Sequence, residues 1–165
     1  MNRAICPGSF DPITYGHLDI ITRGANIFDE VIVALAKNSA KKYLFNDQQR
    51  LELVQVATAH LPNVKVVIIN GLIADFAKEC EANVILKGLR GAKDFFNEES
   101  MAILNQEISG IDTAFILGNP ALSHISSSYV KEIAVYQGKI DKLVPENVAV
   151  AVFEKMKLNK DLKAL

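Results

Sequence analysis

The chain is poor in several residues that would otherwise narrow its class. Its 165 residues include no Trp, two Cys and three His, and 18 Lys and Arg against 19 Asp and Glu leave a formal net charge of −1. Cys6 and Cys80 are too few for a disulfide framework and lack metal-ligand spacing, so we expect buried, reduced thiols. A near-neutral charge without a Lys/Arg block removes the electrostatic signature of a nucleic-acid-binding protein.

Long hydrophobic runs are also missing. No apolar stretch approaches the roughly 20 residues that span a bilayer, and Pro7 and Gly8 interrupt the amino-terminal segment before a signal peptide could form. Half of the residues are nevertheless hydrophobic, which excludes a disordered chain and suffices for a core at this length. We therefore expect a single soluble domain over 1–165 in the cytoplasm, with no membrane and no nucleic acid as partner.

Short apolar runs alternate with segments of helical periodicity. The runs are rich in β-branched residues and cover 4–6, 31–35, 64–69, 84–86 and 114–117. They are mostly continuous rather than alternating, which is typical of parallel strands buried on both faces. The sequence therefore predicts an α/β fold: a Rossmann-like, doubly wound, five-stranded parallel sheet with flanking helices and a C-terminal helical extension.

Apolar residues recur at helical spacing between and after these runs. The predicted faces comprise Leu18, Ile21, Ala25 and Phe28; Leu53, Val56, Ala57 and Leu61; Met101, Leu104 and Ile108; and Val148, Ala151, Val152 and Met156. Asp47 is the predicted N-cap of the second helix, residues 126–128 begin a later one, and Pro145 opens the last. Because ligands of such sheets bind beyond the carboxyl ends of the strands, the loops there form the candidate site.

The first of these loops, 7–17, joins a Pro-Gly-Ser-Phe-Asp-Pro turn to Gly-His at the start of a helix. Gly8 lets the backbone approach a ligand closely, and Ser9 offers a hydroxyl to a phosphate oxygen. His17 enters a helix N-terminus, which favours anions. A capped turn would explain a lone Gly-x-His, but the whole string is more specific.

Three further loops place cations and hydroxyls at strand ends. Lys41 and Lys42 follow the second strand, where ammonium groups meet phosphates or simply solvent. The segment 87–91, Lys-Gly-Leu-Arg-Gly, follows the fourth strand and combines flexible N–H groups with an Arg fork, which suits anions. Successive serines at 126–128 precede a helix, where they either cap it or present donors to a triphosphate.

Together these strings resemble the nucleotidyltransferase superfamily and, more closely, the bacterial phosphopantetheine adenylyltransferase family. The string from Thr14 to His17 is similar to the (H/T)xGH signature, and Lys41, 87–90 and 125–128 match further motifs of the family along essentially the whole chain. The resemblance implies transfer of the adenylyl group of ATP to 4′-phosphopantetheine, giving dephospho-coenzyme A and pyrophosphate. It also implies Mg²⁺ held through phosphates, a homohexamer, and coenzyme A as feedback inhibitor.

The resemblance further implies a role for individual residues. His17 would stabilise the transition state, with Lys41 and Arg90 as the other catalytic residues. Phosphopantetheine contacts fall on Ser9, Lys41, Ile73 and Lys87. ATP contacts fall on Ser9, Phe10, His17, Gly88, Leu89, Arg90, Glu98, Leu122, Ser123, His124, Ile125, Ser126, Ser127 and Ser128. Lys87 stands where the family has Arg, which keeps the charge but loses the bidentate geometry.

Two other functions fit the same loops. An enzyme of the same fold could transfer AMP or CMP to another small phosphate, such as nicotinate mononucleotide or glycerol phosphate. A nucleotide-sensing module could bind ATP or coenzyme A without catalysis. The full set of motifs favours the pantetheine enzyme over the first, and the presence of His17 beside the basic loops speaks against the second.

Overall fold

The structure, a computed structural model, describes residues 1–37 and 40–163. Its sheet has five parallel strands in the spatial order β3-β2-β1-β4-β5. The strands are β1 Arg3–Gly8, β2 Glu30–Ala36, β3 Val64–Ile69, β4 Val84–Leu89 and β5 Thr113–Leu117. The predicted strands and the doubly wound parallel fold are confirmed. Two residues of the predicted C-terminal extension, Ala164 and Leu165, lie outside the described part of the chain.

Helices cover both faces of the sheet. They are α1 Tyr15–Ile27, α2 Asp47–Thr58, α3 Ile73–Glu79, α4 Ala92–Ser109, α5 Ser127–Val135 and α6 Glu146–Lys163. Helices α1, α2, α5 and α6 pack on the face that carries Cys6 and Val33, and α3 packs on the face that carries Ile5 and Ile85. Strand order reverses between β1 and β4, which is the switch point at which open α/β sheets bind ligands.

The start of α2 differs from the prediction. Asn46, not Asp47, is the N-cap: its side chain accepts the Gln49 N–H, and the Gln49 side chain accepts the Asn46 N–H. A capping box needs Gln or Glu three residues after the cap, and only Asn46 has one. Asp47 lies in the first turn and pairs with Lys37 at 2.8 Å and Arg50 at 2.7 Å, and these cations hold the pKa of Asp47 below its usual range.

The predicted apolar faces differ in how far the chain covers them. Val148 and Val152 of α6 are fully buried. On α4, by contrast, Met101 is 55%, Leu104 47% and Ile108 48% exposed. That helix was predicted from a periodic apolar face, and the periodicity is real, but among the described residues nothing buries the face.

The two cysteines also differ. Cys6 is buried, as predicted, and burial raises the pKa of its thiol to about 11, so it stays protonated. Cys80 is only partly buried, because it ends α3 at the rim of the sheet, so the prediction of two buried thiols is wrong for this residue. Within the described part of the chain, the helices fall short of the length and apolarity that crossing a membrane would require.

Candidate active site

A cavity of about 310 Å³ lies at the carboxyl ends of β1 and β4. The loops after β1, β4 and β5 and the start of α5 form its walls. The predicted site residues that line it are Phe10, His17, Lys87, Gly88, Leu89, Arg90, Glu98, Leu122, Ser123, Ile125, Ser126 and Ser127. The fold thus brings most of the predicted ATP residues to one place.

The cavity also has wall residues to which the prediction gave no substrate contact, although Gly8, Thr14 and Gly16 belong to the candidate loop 7–17. These are Cys6, Pro7, Gly8, Thr14, Gly16, Ile20, Leu86, Asp94, Gly118 and Asn119. Gly118 and Asn119 directly follow β5, so the rule about strand ends could have found them. Cys6 and Leu86 carried no such signal, because an apolar side chain in a strand is indistinguishable from core in the sequence.

Five predicted residues lie outside this wall: Ser9, Lys41, Ile73, His124 and Ser128. Lys41 Nζ lies 3.5 Å from Ser9 Oγ, so these two side chains form a separate polar pair between the loops after β1 and β2. Ile73 begins α3 after β3, and His124 and Ser128 are exposed. Ser39, in the same loop as Lys41, lies outside the described residues.

The amino end of α1 holds His17. Its Nδ1 accepts the backbone N–H of Thr14 at 3.1 Å, and the His17 N–H donates to Thr14 Oγ1 at 3.3 Å, which completes a capping box. Because Nδ1 accepts, the neutral ring carries its proton on Nε2. Burial, with smaller contributions from the positive charges of Arg90 and Lys87, lowers the pKa of His17 to about 4. At neutral pH His17 is therefore a neutral donor.

Phe10 supports the His17 ring from the end of β1. The Phe10 backbone has a φ of 48°, in the left-handed region that bulky residues rarely adopt. Its ring contacts His17 edge-on, with centroids 5.1 Å apart. A Cβ added at Gly8 would lie 2.9 Å from Cε2 of Phe10, so this packing requires glycine there. The left-handed backbone of Phe10 is thus coupled to the packing that orients the His17 ring.

Two cations of the cavity wall are each paired with a carboxylate of α4. Lys87 lies within β4 and Arg90 directly follows it, so the predicted loop 87–91 is wrong for residues 87–89, which continue the strand. Lys87 Nζ lies 3.1 Å from Glu98. Arg90 binds Asp94 through two side-chain N–H groups at 3.0 and 3.1 Å, and this pairing raises the pKa of Arg90 above its already high value. Arg90 also donates to the Ile125 carbonyl at 3.2 Å. The loop after β4 is therefore tied to the loop before α5.

The serine loop presents a helix N-terminus to the cavity. Ser126 is the N-cap of α5, and its Oγ accepts the Tyr129 N–H at 3.2 Å. Ser127 Oγ donates to the Pro12 carbonyl at 2.8 Å, which joins this loop to the first. The first turn of α5 still directs backbone N–H groups and a positive dipole end toward the cavity. Since α1 also begins at the cavity, two helix N-termini and two side-chain cations favour anions there.

Comparisons with known proteins agree with this chemistry. A family model described as cytidylyltransferase-like matches residues 5–133. A phosphopantetheine adenylyltransferase from Streptomyces coelicolor (strain ATCC BAA-471 / A3(2) / M145) is 48% identical over 157 residues, covering 95% of this chain and 99% of its own length. One from Caldanaerobacter subterraneus subsp. tengcongensis (strain DSM 15242 / JCM 11007 / NBRC 100824 / MB4) is 47% identical over 158 residues, with the same coverage.

Solved structures extend the similarity in fold to more distant proteins. The nicotinic acid mononucleotide adenylyltransferase of Plasmodium falciparum, solved in complex with NaAD, matches with a TM-score of 0.67 at 14% identity. The match covers 96% of this chain and 95% of that protein. At this identity the similarity shows a shared fold alone.

Proposed function

The chain belongs to the phosphopantetheine adenylyltransferase family, within the cytidylyltransferase-like proteins, and we propose that the cavity between β1 and β4 is where it transfers the adenylyl group of ATP to 4′-phosphopantetheine. The products are dephospho-coenzyme A and pyrophosphate. The observation that carries this assignment is the meeting of a neutral His17, paired cations and two helix N-termini on one cavity at the switch point of the sheet.

The chemistry asks for positioning and charge stabilisation rather than for a protein nucleophile. The attacking group is a phosphate oxygen that is already anionic, so no general base is required. The barrier comes from bringing two polyanions together and from the charge that develops around the α-phosphate. His17 donates from Nε2 to an oxygen of the α-phosphate as that charge grows.

The cations of β4 bind the phosphates of the two substrates. Lys87 takes the phosphate of phosphopantetheine, and Arg90, with the N-terminus of α5 at 126–128, takes the phosphates of ATP. Both cations are paired with carboxylates in the free protein, so substrate binding exchanges a carboxylate for a phosphate at each. Glu98, released from Lys87, can then accept a hydrogen bond from the ribose or adenine of ATP.

The remaining substrate contacts come from the β2 and β3 side of the carboxyl edge. Lys41 and Ser9, 3.5 Å apart, face the transferring phosphate from the side opposite the β4 loop. Lys41 neutralises phosphate charge there and Ser9 orients the oxygen. Ile73, at the start of α3, contacts the pantetheine arm.

We propose that Mg²⁺ takes part through the phosphates of ATP. Among residues 1–37 and 40–163 no three His, Cys, Asp or Glu side chains are grouped to hold a metal ion, and the carboxylates of the cavity wall, Asp94 and Glu98, are paired with cations. This donor set fits an ion that keeps most of its water and binds phosphate oxygens rather than a protein cage. When bound, Mg²⁺ would neutralise phosphate charge.

One assay tests the function. The protein is incubated with ATP, Mg²⁺ and 4′-phosphopantetheine, and pyrophosphate and dephospho-coenzyme A are measured by chromatography. We expect both in equal amounts. Product with nicotinate mononucleotide or glycerol phosphate, but none with phosphopantetheine, would assign the fold to a different acceptor. Binding of ATP without any product would make the protein a nucleotide sensor.

We also propose a homohexamer assembled partly through the open apolar face of α4. Its exposed residues are Phe95, Phe96, Met101, Ile103, Leu104 and Ile108. An apolar patch of this kind on a soluble protein marks an interaction surface. Light scattering after size exclusion should give six times the chain mass of 18.1 kDa, and Leu104→Glu should lower it.

Two further properties follow from the proposed reaction. Coenzyme A contains the pantetheine arm and an adenosine, so we propose that it inhibits by occupying the same cavity. Inhibition competitive with both substrates is the expected result. We place the protein in the cytoplasm, where ATP is available and where free thiols such as Cys6 stay reduced.

A further inference from the structure

Beneath the loops after β1 and β2 lies a fully buried arginine. Arg50, on α2, has no exposed surface. Its Nη1 donates to the Ser9 carbonyl at 2.5 Å, and its Nη2 donates to Asp47 at 2.7 Å. The guanidinium carbon lies 4.2 Å from the centroid of the Tyr43 ring. One side chain therefore contacts the loop after β1 through Ser9 and the loop after β2 through Tyr43.

Burial of the Arg50 guanidinium carries an unfavourable desolvation free energy. The Nε of Arg50 is buried and finds no hydrogen-bond acceptor among the described residues. Removing a guanidinium from water costs several kcal/mol, and well-packed apolar residues of similar volume often replace buried ion pairs without loss of stability. Arg50 is thus poorly explained as a stabilising residue, and its hydrogen bonds indicate another use.

The contacts of Arg50 converge on the Ser9 and Lys41 pair. Arg50 fixes the backbone of Ser9, whose Oγ lies 3.5 Å from Lys41 Nζ. It also stacks on Tyr43, two residues after Lys41. A second tie holds the same loops together, because Asp11 accepts the N–H groups of Leu44 and Phe45 at 2.8 and 3.0 Å. The distance between the Ser9 hydroxyl and the Lys41 ammonium group therefore depends on the contacts that Arg50 and Asp11 make with the two loops.

We infer that Arg50 is a positioning residue that sets Ser9 and Lys41 at the spacing needed to bind one phosphate between them. Its planar fork is suited to this, since one guanidinium can hold a carbonyl of the first loop, a carboxylate of its own helix and an aromatic ring of the second loop at once. Arg50 itself does not touch the substrate. The inference rests on the proposed function, which supplies the phosphate.

The decisive variant is Arg50→Met, which keeps the length of the side chain and removes its fork and charge. Because it leaves the partly buried Ser9 carbonyl without its donor, we expect a lower melting temperature. At 25 °C the folded fraction should lose kcat by about tenfold to 100-fold, as displacements of about 1 Å can do. The dissociation constant for ATP, measured by calorimetry, should stay within threefold, because Arg90 and the N-terminus of α5 do not depend on Arg50.

The matched control is Arg3→Met. Arg3 is also largely buried, and it binds Glu30 and the Cys80 carbonyl at the amino end of the sheet. This variant should also lose stability, but its folded fraction should keep kcat, unlike that of Arg50→Met. If both variants lost kcat in proportion to their loss of folded protein, or if Arg50→Met kept kcat while folded, the positioning role would be wrong.

A double-mutant cycle with Lys41 separates positioning from general damage. If Arg50 acts through Lys41, then Arg50→Met added to Lys41→Met should slow the reaction by less than threefold. Two losses that multiply in the double variant would overturn the inference. Should Arg50→Met fail to fold, Arg50→Lys enters the same cycle, because Lys keeps one donor without the fork. Failure of the unchanged protein to form dephospho-coenzyme A would instead overturn the proposed function.

Discussion

The two ends of the sheet carry similar charged pairs and use them differently. At the amino end, Glu30 is buried and shared by Lys65 and Arg3, which lower its pKa. At the carboxyl end, two cation–carboxylate pairs line a cavity. Backbone hydrogen bonds close the first end, where the Asn2 carbonyl accepts the Asp29 N–H at 2.9 Å and the Arg3 carbonyl accepts the Asn83 N–H at 2.8 Å.

The difference follows from strand direction. Because all five strands are parallel, the helices that follow them begin at the carboxyl end and finish at the amino end. Positive dipole ends and unpaired N–H groups therefore collect at one end only. We propose that the ion pairs there exchange a carboxylate for a ligand phosphate, whereas Glu30 at the other end contributes to stability alone. Each of the following changes tests that division.

The largest expected effect comes from His17→Ala at the carboxyl end. Loss of one donor to the developing charge should lower kcat by a factor of about 10² to 10³, or about 3–4 kcal/mol of transition-state stabilisation. The dissociation constant for ATP should change little, because cations and helix N-termini supply most of that binding. Steady-state kinetics and calorimetry measure the two, and a variant with normal turnover would remove His17 from the mechanism.

Glu30→Gln, at the amino end, should reverse that pattern. It removes the charged partner of Arg3 and Lys65 and should lower the free energy of unfolding by about 2 kcal/mol. The melting temperature should fall by about 4–8 °C in a domain of this size, with kcat unchanged at 25 °C. A loss of turnover without a loss of stability would break the comparison between the two ends.

Lys87→Arg should have a small effect. Arginine keeps the charge beside Glu98 and adds a fork that can bind phosphate bidentately. We expect the affinity for phosphopantetheine to be unchanged or up to about tenfold better, as measured by calorimetry. A large loss would show that the site is built around the compact ammonium of Lys87.

The smallest effect is expected from a change of pH near neutrality, which should leave the protonation state of His17 unchanged. With a pKa of about 4, His17 of the free protein should not titrate between pH 8 and 6, and long-range ¹H–¹⁵N spectra should show a single neutral form with the proton on Nε2. An inflection near 6.5 would contradict this.

The same pKa makes a prediction about stability. The folded state lowers the pKa of His17 below the ordinary value of 6.5, so the unfolded state takes up its proton first as the pH falls. The contribution of neutral His17 to the free energy of unfolding is complete above about pH 6.5 and is lost as the pH falls toward 4. Urea unfolding at pH 7 and pH 5 should therefore show a smaller difference in His17→Ala than in the unchanged protein.

Much of the fold and part of the site follow from sequence patterns. The five β-branched runs predicted the strands and their parallel direction, because continuous apolar runs suit a sheet covered on both faces. The Gly-His string and the basic segment 87–90 predicted residues that meet in the cavity. The cap of α2 needed one further detail, the Gln49 that favours Asn46 over Asp47. Nothing in the spacing of α4 could show whether a partner covers its apolar face.

By itself the sequence determined the order of strands and helices along the chain, the polarity of the loops and the candidate phosphate-binding groups, because these depend on local periodicity and on side-chain chemistry. Only the tertiary structure decided which groups meet. It fixed the proton of His17 on Nε2 through Thr14, paired Lys87 and Arg90 with the carboxylates of α4, and buried Arg50 under the loops after β1 and β2. These contacts join residues from separate elements, so they exist only once the strands lie side by side.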